Sequence, residues 1–126
     1  MIGTQALAQL LKDPASKALL FHVYGAPEHL PGAIQAAPAG QGGGFDDDVQ
    51  RGFGAFLEQT TGGSDTRPLV FYCQGVQCWM SYNAALRAIR MGQRNVLWYR
   101  GGLEAWTLAG LPTQGGSADD GAGAAR

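Results

Sequence analysis

Residues 68–88 of the chain read PLVFYCQGVQCWMSYNAALRA and contain both of its cysteines, Cys73 and Cys78. The run 69–72 is bulky, uncharged and preceded by a proline, which is typical of a buried strand. Beyond the second cysteine, apolar residues recur at the spacing of one helix face, namely Tyr82, Ala85, Leu86 and Ile89. The segment therefore predicts a strand, a loop with a thiol at each end, and a helix.

Cys73 lies where the predicted strand ends, in front of the N-terminus of the predicted helix. Unpaired backbone N–H groups and a partial positive charge at a helix N-terminus stabilise an anion there. The pKa of a free cysteine thiol, ~8.5, falls in such a place, which raises the fraction of nucleophilic thiolate. Cys73 is therefore the candidate nucleophile. The alternative is that it only fills space in the core, as buried cysteines often do.

Cys78 follows Cys73 after a four-residue spacer that contains a glycine. This spacer can bring the two Cα atoms within the ~4.4–6.8 Å that a disulfide spans. Closing so short a loop predicts a labile bond that regulates or replaces chemistry at Cys73. A zinc site is a poor alternative, because only His22 and His29 could complete a tetrahedral set, and no metal is predicted.

The composition, with 126 residues of which 45% are hydrophobic, is that of one globular domain. Residues 1–113 are assigned to it, and 114–126, rich in Gly, Ala, Ser and Asp, to a disordered tail. A net charge of −1 with nine Lys and Arg residues argues against a nucleic-acid partner. No apolar run approaches the ~20 residues that span a bilayer, and residues 1–11 lack the features of a secretory signal.

Strands and helices are predicted to alternate along the chain, which indicates an α/β fold with a largely parallel sheet covered on both faces. The aspartates at 46–48 suit a helix N-terminus, with a metal site as the weaker alternative. Besides the central segment, strands are predicted at 18–23, near 34 and at 96–99, and helices at about 4–12, from 46–48 onward and at about 103–108.

Parallel α/β folds place ligands beyond the carboxyl ends of their strands. Cys73, Tyr24 and Arg100 all follow predicted strands, so they can share one pocket. Arg100 is either the main cation near an anionic substrate or an ordinary surface charge. His22, inside an apolar strand, is expected to be a hydrogen-bonded structural residue rather than a catalytic one.

Three segments in this order resemble a rhodanese-like domain over about residues 4–113: HLPGAI at 29–34, the strand ending in Cys73, and GGLEAW at 101–106 followed by AGLP. The resemblance implies a central, mostly parallel sheet flanked by helices on both faces. It also implies that Cys73 carries sulfane sulfur as a persulfide, without a cofactor. The residues then expected to bind substrate are Gln74, Gly75, Val76, Gln77, Trp79 and Arg100.

The loop departs from the family pattern, because residues 74–79 are uncharged where relatives usually carry an arginine. The cations that would hold a dianion are missing, so thiosulfate is not expected as the sulfur donor. Trp79 stands where phosphatases with a related loop have an arginine, which argues against phosphatase chemistry.

The pair Cys78-Trp79, followed by Met-Ser-Tyr-Asn-Ala-Ala, is similar to a rhodanese-like subgroup found with pyrroloquinoline-quinone-dependent alcohol oxidation. Members of that subgroup are generally exported, which favours a periplasmic location over a cytoplasmic one. Two functions stay open. One is a sulfurtransferase that works through Cys73 with a small sulfur donor or a thiol acceptor protein as its partner. The other is a thiol–disulfide redox or sulfur-binding module that uses both cysteines. No oligomeric state is predicted.

Overall fold

The structure is a computed structural model that describes residues 1–23, 28–36, 48–75 and 78–115. Tyr24, Val76, Gln77 and the aspartates at 46 and 47 lie outside the described residues. The helices are α1 (Thr4–Lys12), α2 (Asp48–Thr61), α3 (Met80–Arg90) and α4 (Gly102–Leu108), with a 3-10 turn at Pro14–Ser16. The strands are β1 (Leu19–His22), β2 (Glu28–His29), β3 (Ile34–Gln35), β4 (Leu69–Tyr72), β5 (Val96–Tyr99) and β6 (Gln114–Gly115).

Four strands form a parallel sheet in the order β3-β1-β4-β5. All four residues of the central strand β4 are buried, as expected of a strand covered on both faces. The predicted α/β fold is confirmed. His22, Tyr72 and Tyr99 end three neighbouring strands and lie side by side in the register. The residues that follow these strands therefore leave the sheet at the same edge.

Helices cover both faces of this sheet. On one face, Phe21 and Phe71 pack with α2 and α3. On the other, Leu20, Val70 and Tyr72 pack with residues of α1 and α4. The strand residues alternate between these two clusters because successive side chains of a strand point to opposite faces. The apolar runs in the sequence are thus divided between two cores.

The buried face of α3 differs from the predicted one. Its buried residues are mostly small: Ser81, Ala84, Ala85, Arg87 and Ala88. Tyr82 and Ile89, predicted to be buried, are 36% and 51% exposed. Small side chains allow α3 to lie close to β4 and β5, and this leaves the bulky residues of the helix at the rim. The prediction was correct for Ala85 and wrong for Tyr82 and Ile89.

The end of the described chain extends slightly beyond the predicted domain boundary. Gln114 and Gly115, assigned to a disordered tail, form β6 and pair antiparallel with β2. Residues 116–126 lie outside the described residues. Within the part of the chain that the structure describes, no helix is both long and apolar enough to cross a membrane.

Candidate active site

Cys73 directly follows β4 and is only 1% exposed. Its backbone carbonyl accepts a hydrogen bond from the Leu103 N–H (3.0 Å), and the carbonyl of Gln74 accepts one from the Glu104 N–H (2.8 Å). Gly75 is also buried. These three loop residues, 73–75, are called the buried arm. They are fixed by backbone contacts to the first turn of α4.

Gly102, at the start of α4, allows this close contact. Its φ is +63°, and a Cβ atom there would lie 2.9 Å from the Gly75 backbone nitrogen and closer still to the Cys73 carbonyl oxygen. Only glycine combines that backbone conformation with the absence of a side chain. The Gly-Gly sequence after β5 therefore lets α4 lie directly against the cysteine loop.

The structure joins Cys73 and Cys78 in a disulfide, with Cα atoms 6.1 Å apart. The prediction that the two residues lie within disulfide distance is confirmed. Cys78 is half-buried, and its N–H donates to the carbonyl of Gly75 (3.0 Å). Cys78 is therefore the more accessible of the two sulfur-bearing residues in this state. Whether the bond regulates or replaces sulfur chemistry stays a prediction.

Cys78 and the 51%-exposed Trp79, called the exposed arm, adjoin a group of aromatic rings. The Trp79 ring lies 5.3 Å from that of Tyr82 and 5.7 Å from that of Trp98. The guanidinium carbon of Arg100 lies 5.6 Å from the Trp79 ring centroid and 5.8 Å from that of Trp98. Arg100 thus lies beside the loop. Its position over the two indole rings is favourable because the face of an aromatic ring attracts a cation. Its part in substrate binding stays a prediction, as does that of Trp79.

A family model of the rhodanese-like domain matches residues 5–109. The chain belongs to the rhodanese-like domain family. SseA from Escherichia coli, a 3-mercaptopyruvate sulfotransferase, superposes with a TM-score of 0.70 and 18% sequence identity, covering 93% of this chain and 50% of SseA. Thiosulfate sulfurtransferase from Pseudomonas aeruginosa superposes with a TM-score of 0.68 and 15% identity, covering 92% of this chain and 20% of the enzyme. BH2092 from Bacillus halodurans superposes with a TM-score of 0.67 and 22% identity, covering 94% of this chain and 80% of BH2092.

The superpositions establish the shared rhodanese-like fold. Sequence identities this low do not establish the substrate or the partner, which stay proposals. The chain corresponds to half of SseA and to a fifth of the Pseudomonas enzyme. No curated protein matches the chain. These matches do not test the resemblance to the pyrroloquinoline-quinone-associated subgroup, which stays a prediction.

Below the buried arm of this rhodanese-like fold, His22 stacks on the ring of Tyr72, with centroids 4.8 Å apart and planes 11° apart. Among the described residues, neither ring nitrogen of His22 has a hydrogen-bond partner, so the expected hydrogen-bonded role is not observed. Burial, and then the nearby His29, lower the pKa of His22 to about 4. Burial also raises the pKa of Tyr72, whose hydroxyl accepts from the Leu30 N–H (2.9 Å). Stacking and burial, rather than side-chain hydrogen bonds, hold the His22 ring.

Glu104 is the site residue that sequence reasoning missed. A Cβ atom on Gly75 would lie 2.7 Å from the Glu104 carboxyl carbon, so the carboxylate lies directly against the buried arm. It is also the only acidic residue between Asp65 and Asp119. An acidic residue just after the glycines that follow a strand could have indicated this position. No three His, Cys, Asp or Glu side chains of the described residues gather where they could hold a metal.

Proposed function

We propose that this rhodanese-like protein transfers sulfane sulfur through a persulfide on Cys73, with Cys78 as a resolving thiol. The observation that carries the proposal is the Cys73–Cys78 disulfide at the carboxyl end of β4. It brings a second thiol to the cysteine that follows the central strand. Two structural neighbours are named as sulfur-group transferases, which also supports the proposal.

The first half of the reaction loads Cys73. Its thiolate attacks the outer sulfur of a donor persulfide, the S–S bond of the donor breaks, and the donor leaves as a thiolate. The product is a Cys73 persulfide. An acceptor thiolate then attacks the outer sulfur, forms its own persulfide and releases the Cys73 thiolate. No electrons are gained or lost overall, because the sulfane sulfur only changes its carrier.

Cys78 provides a second way to discharge the persulfide. Its thiolate can attack the inner sulfur on Cys73, which forms the Cys73–Cys78 disulfide and expels hydrosulfide. Two external thiols, or one dithiol, then reduce that disulfide and are themselves oxidised to a disulfide. Cys78 is the more accessible residue of the pair, so the external thiolate is expected to attack its sulfur and release Cys73 as the leaving thiolate.

The same disulfide favours a second candidate, a thiol–disulfide redox module without sulfane sulfur. In that case the protein only exchanges its disulfide with an external dithiol, two electrons at a time. The uncharged loop is compatible with either function, and it contains no cationic side chain that could bind a thiosulfate dianion. The two candidates therefore differ only in whether Cys73 accepts a sulfur atom.

Intact mass spectrometry of the reduced protein after brief exposure to glutathione persulfide separates them. We expect Cys78→Ser to gain one sulfur and keep it, Cys73→Ser to gain none at residue 73, and the wild type to end as the disulfide with release of hydrosulfide. Peptide mapping locates the added sulfur. If Cys78→Ser gains no sulfur while the wild type still forms the disulfide without releasing hydrosulfide, the redox module is the correct function.

A further inference from the structure

A groove of about 520 Å³ opens beside the buried arm. It is lined by one loop residue and one side of α4: Gln74, Leu103, Glu104, Thr107 and Leu108. Leu108, at the outer end, is 89% exposed, and Glu104 is exposed as well. The groove therefore joins solvent to the loop that contains Cys73, and its wall nearest Gly75 carries a carboxylate.

Among the residues that the structure describes, no neighbouring side chain compensates the charge of this wall. No residue that the structure describes forms a salt bridge with Glu104. Arg100 lies over the Trp79 and Trp98 rings, against the exposed arm. A carboxylate placed this way attracts cations and repels anions. One unit charge on an exposed side chain changes a rate or binding constant by about twofold, so a cation and an anion should differ by about fivefold.

We propose that this groove binds a small thiol that carries an ammonium group, and that this thiol is the sulfur acceptor. The ammonium pairs with Glu104, and the thiolate attacks the outer sulfur of the Cys73 persulfide, so that the acceptor becomes a persulfide and Cys73 leaves as a thiolate. This inference rests on the proposed function for its acceptor step. The charge preference of the groove does not depend on that function, because it applies to any sulfur compound that approaches Cys73 through the groove.

The charge preference is tested with three methanethiosulfonates that share a two-carbon chain and differ in its terminal group: aminoethyl (cationic), ethyl (neutral) and sulfonatoethyl (anionic). A cysteine thiolate attacks the sulfur that carries the alkyl group, which forms a mixed disulfide, breaks the S–SO2 bond and releases methanesulfinate. The rates are measured on reduced Cys78→Ser, which has one thiol, and are divided by the rates on free mercaptoethanol. We expect the cation-to-anion ratio to exceed that of the free thiol by about fivefold. Glu104→Gln should return it to the free-thiol value.

Glu58→Gln is the matched control, because it removes an exposed carboxylate from α2, which contributes no residue to the groove. We expect it to keep the full ratio. Salt at about 1 M, where the Debye length is ~3 Å, should lower the cation-to-anion ratio of the Cys78→Ser protein that retains Glu104. A ratio that Glu104→Gln does not change, a preference for the anion, or no reaction with any reagent would overturn the proposed groove.

The acceptor step is tested on Cys78→Ser loaded with persulfide, by following sulfur loss to cysteamine, mercaptoethanol and mercaptopropionate at equal thiolate concentration. We expect cysteamine to react about fivefold faster than mercaptopropionate, and Glu104→Gln to remove that difference. If the protein never loads sulfur but the methanethiosulfonate ratio is as expected, the sulfurtransferase proposal fails and the cation-selective groove stands. If it loads and transfers sulfur without charge preference, only the ammonium-bearing acceptor is rejected.

Discussion

The two arms of the cysteine loop are held in different ways. The buried arm, residues 73–75, is fixed by two backbone hydrogen bonds to α4 and by a contact at Gly102 that admits no side chain. The exposed arm, Cys78 and Trp79, has the disulfide, one backbone bond to Gly75, one backbone bond from the Asn83 N–H, and the surface rings around Arg100. Backbone contacts in a packed region open rarely, whereas exposed side chains move easily. We therefore expect Cys73 to keep its place when the disulfide opens, and Cys78 to be the residue that moves.

Acid should destabilise the structure that supports the buried arm, because His22 stacks under Tyr72 next to Cys73. The pKa of His22 is lowered to about 4 in the folded protein, against an ordinary value of 6.5. The unfolded chain then binds the proton more tightly. The full stability is present above about pH 6.5 and falls between there and about pH 4, by roughly 3 kcal/mol.

Urea unfolding of the wild type and of His22→Phe at about pH 7.5 and pH 4.5 measures this effect. The phenylalanine keeps a ring against Tyr72 and cannot titrate, so the variant should lose less stability on acidification. The groups that face His22 in the described structure are Tyr72 and His29. If both proteins lose the same free energy, burial of His22 is not the source of the acid sensitivity.

Gly102→Ala is expected to disturb the buried arm next most strongly. The new Cβ atom meets backbone atoms of residues 73–75, and the φ of +63° is unfavourable for alanine. Gly110→Ala is the matched control, because Gly110 follows the same helix at φ +77° and a Cβ atom there meets nothing within 4 Å. We expect Gly102→Ala to cost about 2 kcal/mol more than the control in urea unfolding. Equal costs would mean that the contact between α4 and the loop is easily relaxed.

Much of the fold around the cysteine loop could be predicted from the sequence. Alternating apolar runs predicted the parallel sheet, and the end of the run 69–72 located Cys73 correctly. The parts that were missed depend on long-range packing. Tyr82 is exposed because α3 approaches the sheet through its alanines, which helical spacing alone does not show. Glu104 reaches the loop only because Gly102 lets α4 pack against it.

Arg100 tests the exposed arm, where the smallest effects are expected. A cation over an exposed indole contributes about 0.5–1 kcal/mol, so Arg100→Ala should lower stability by no more than that. The rate of sulfur uptake from an anionic donor such as glutathione persulfide should fall about two- to threefold, and the loss should vanish at high salt. Arg100→Lys separates the two contributions, because it keeps the charge and loses the planar stack. If Arg100→Ala keeps the wild-type rate at low salt, Arg100 only packs on the tryptophans, and access to the loop is controlled from the Glu104 side alone.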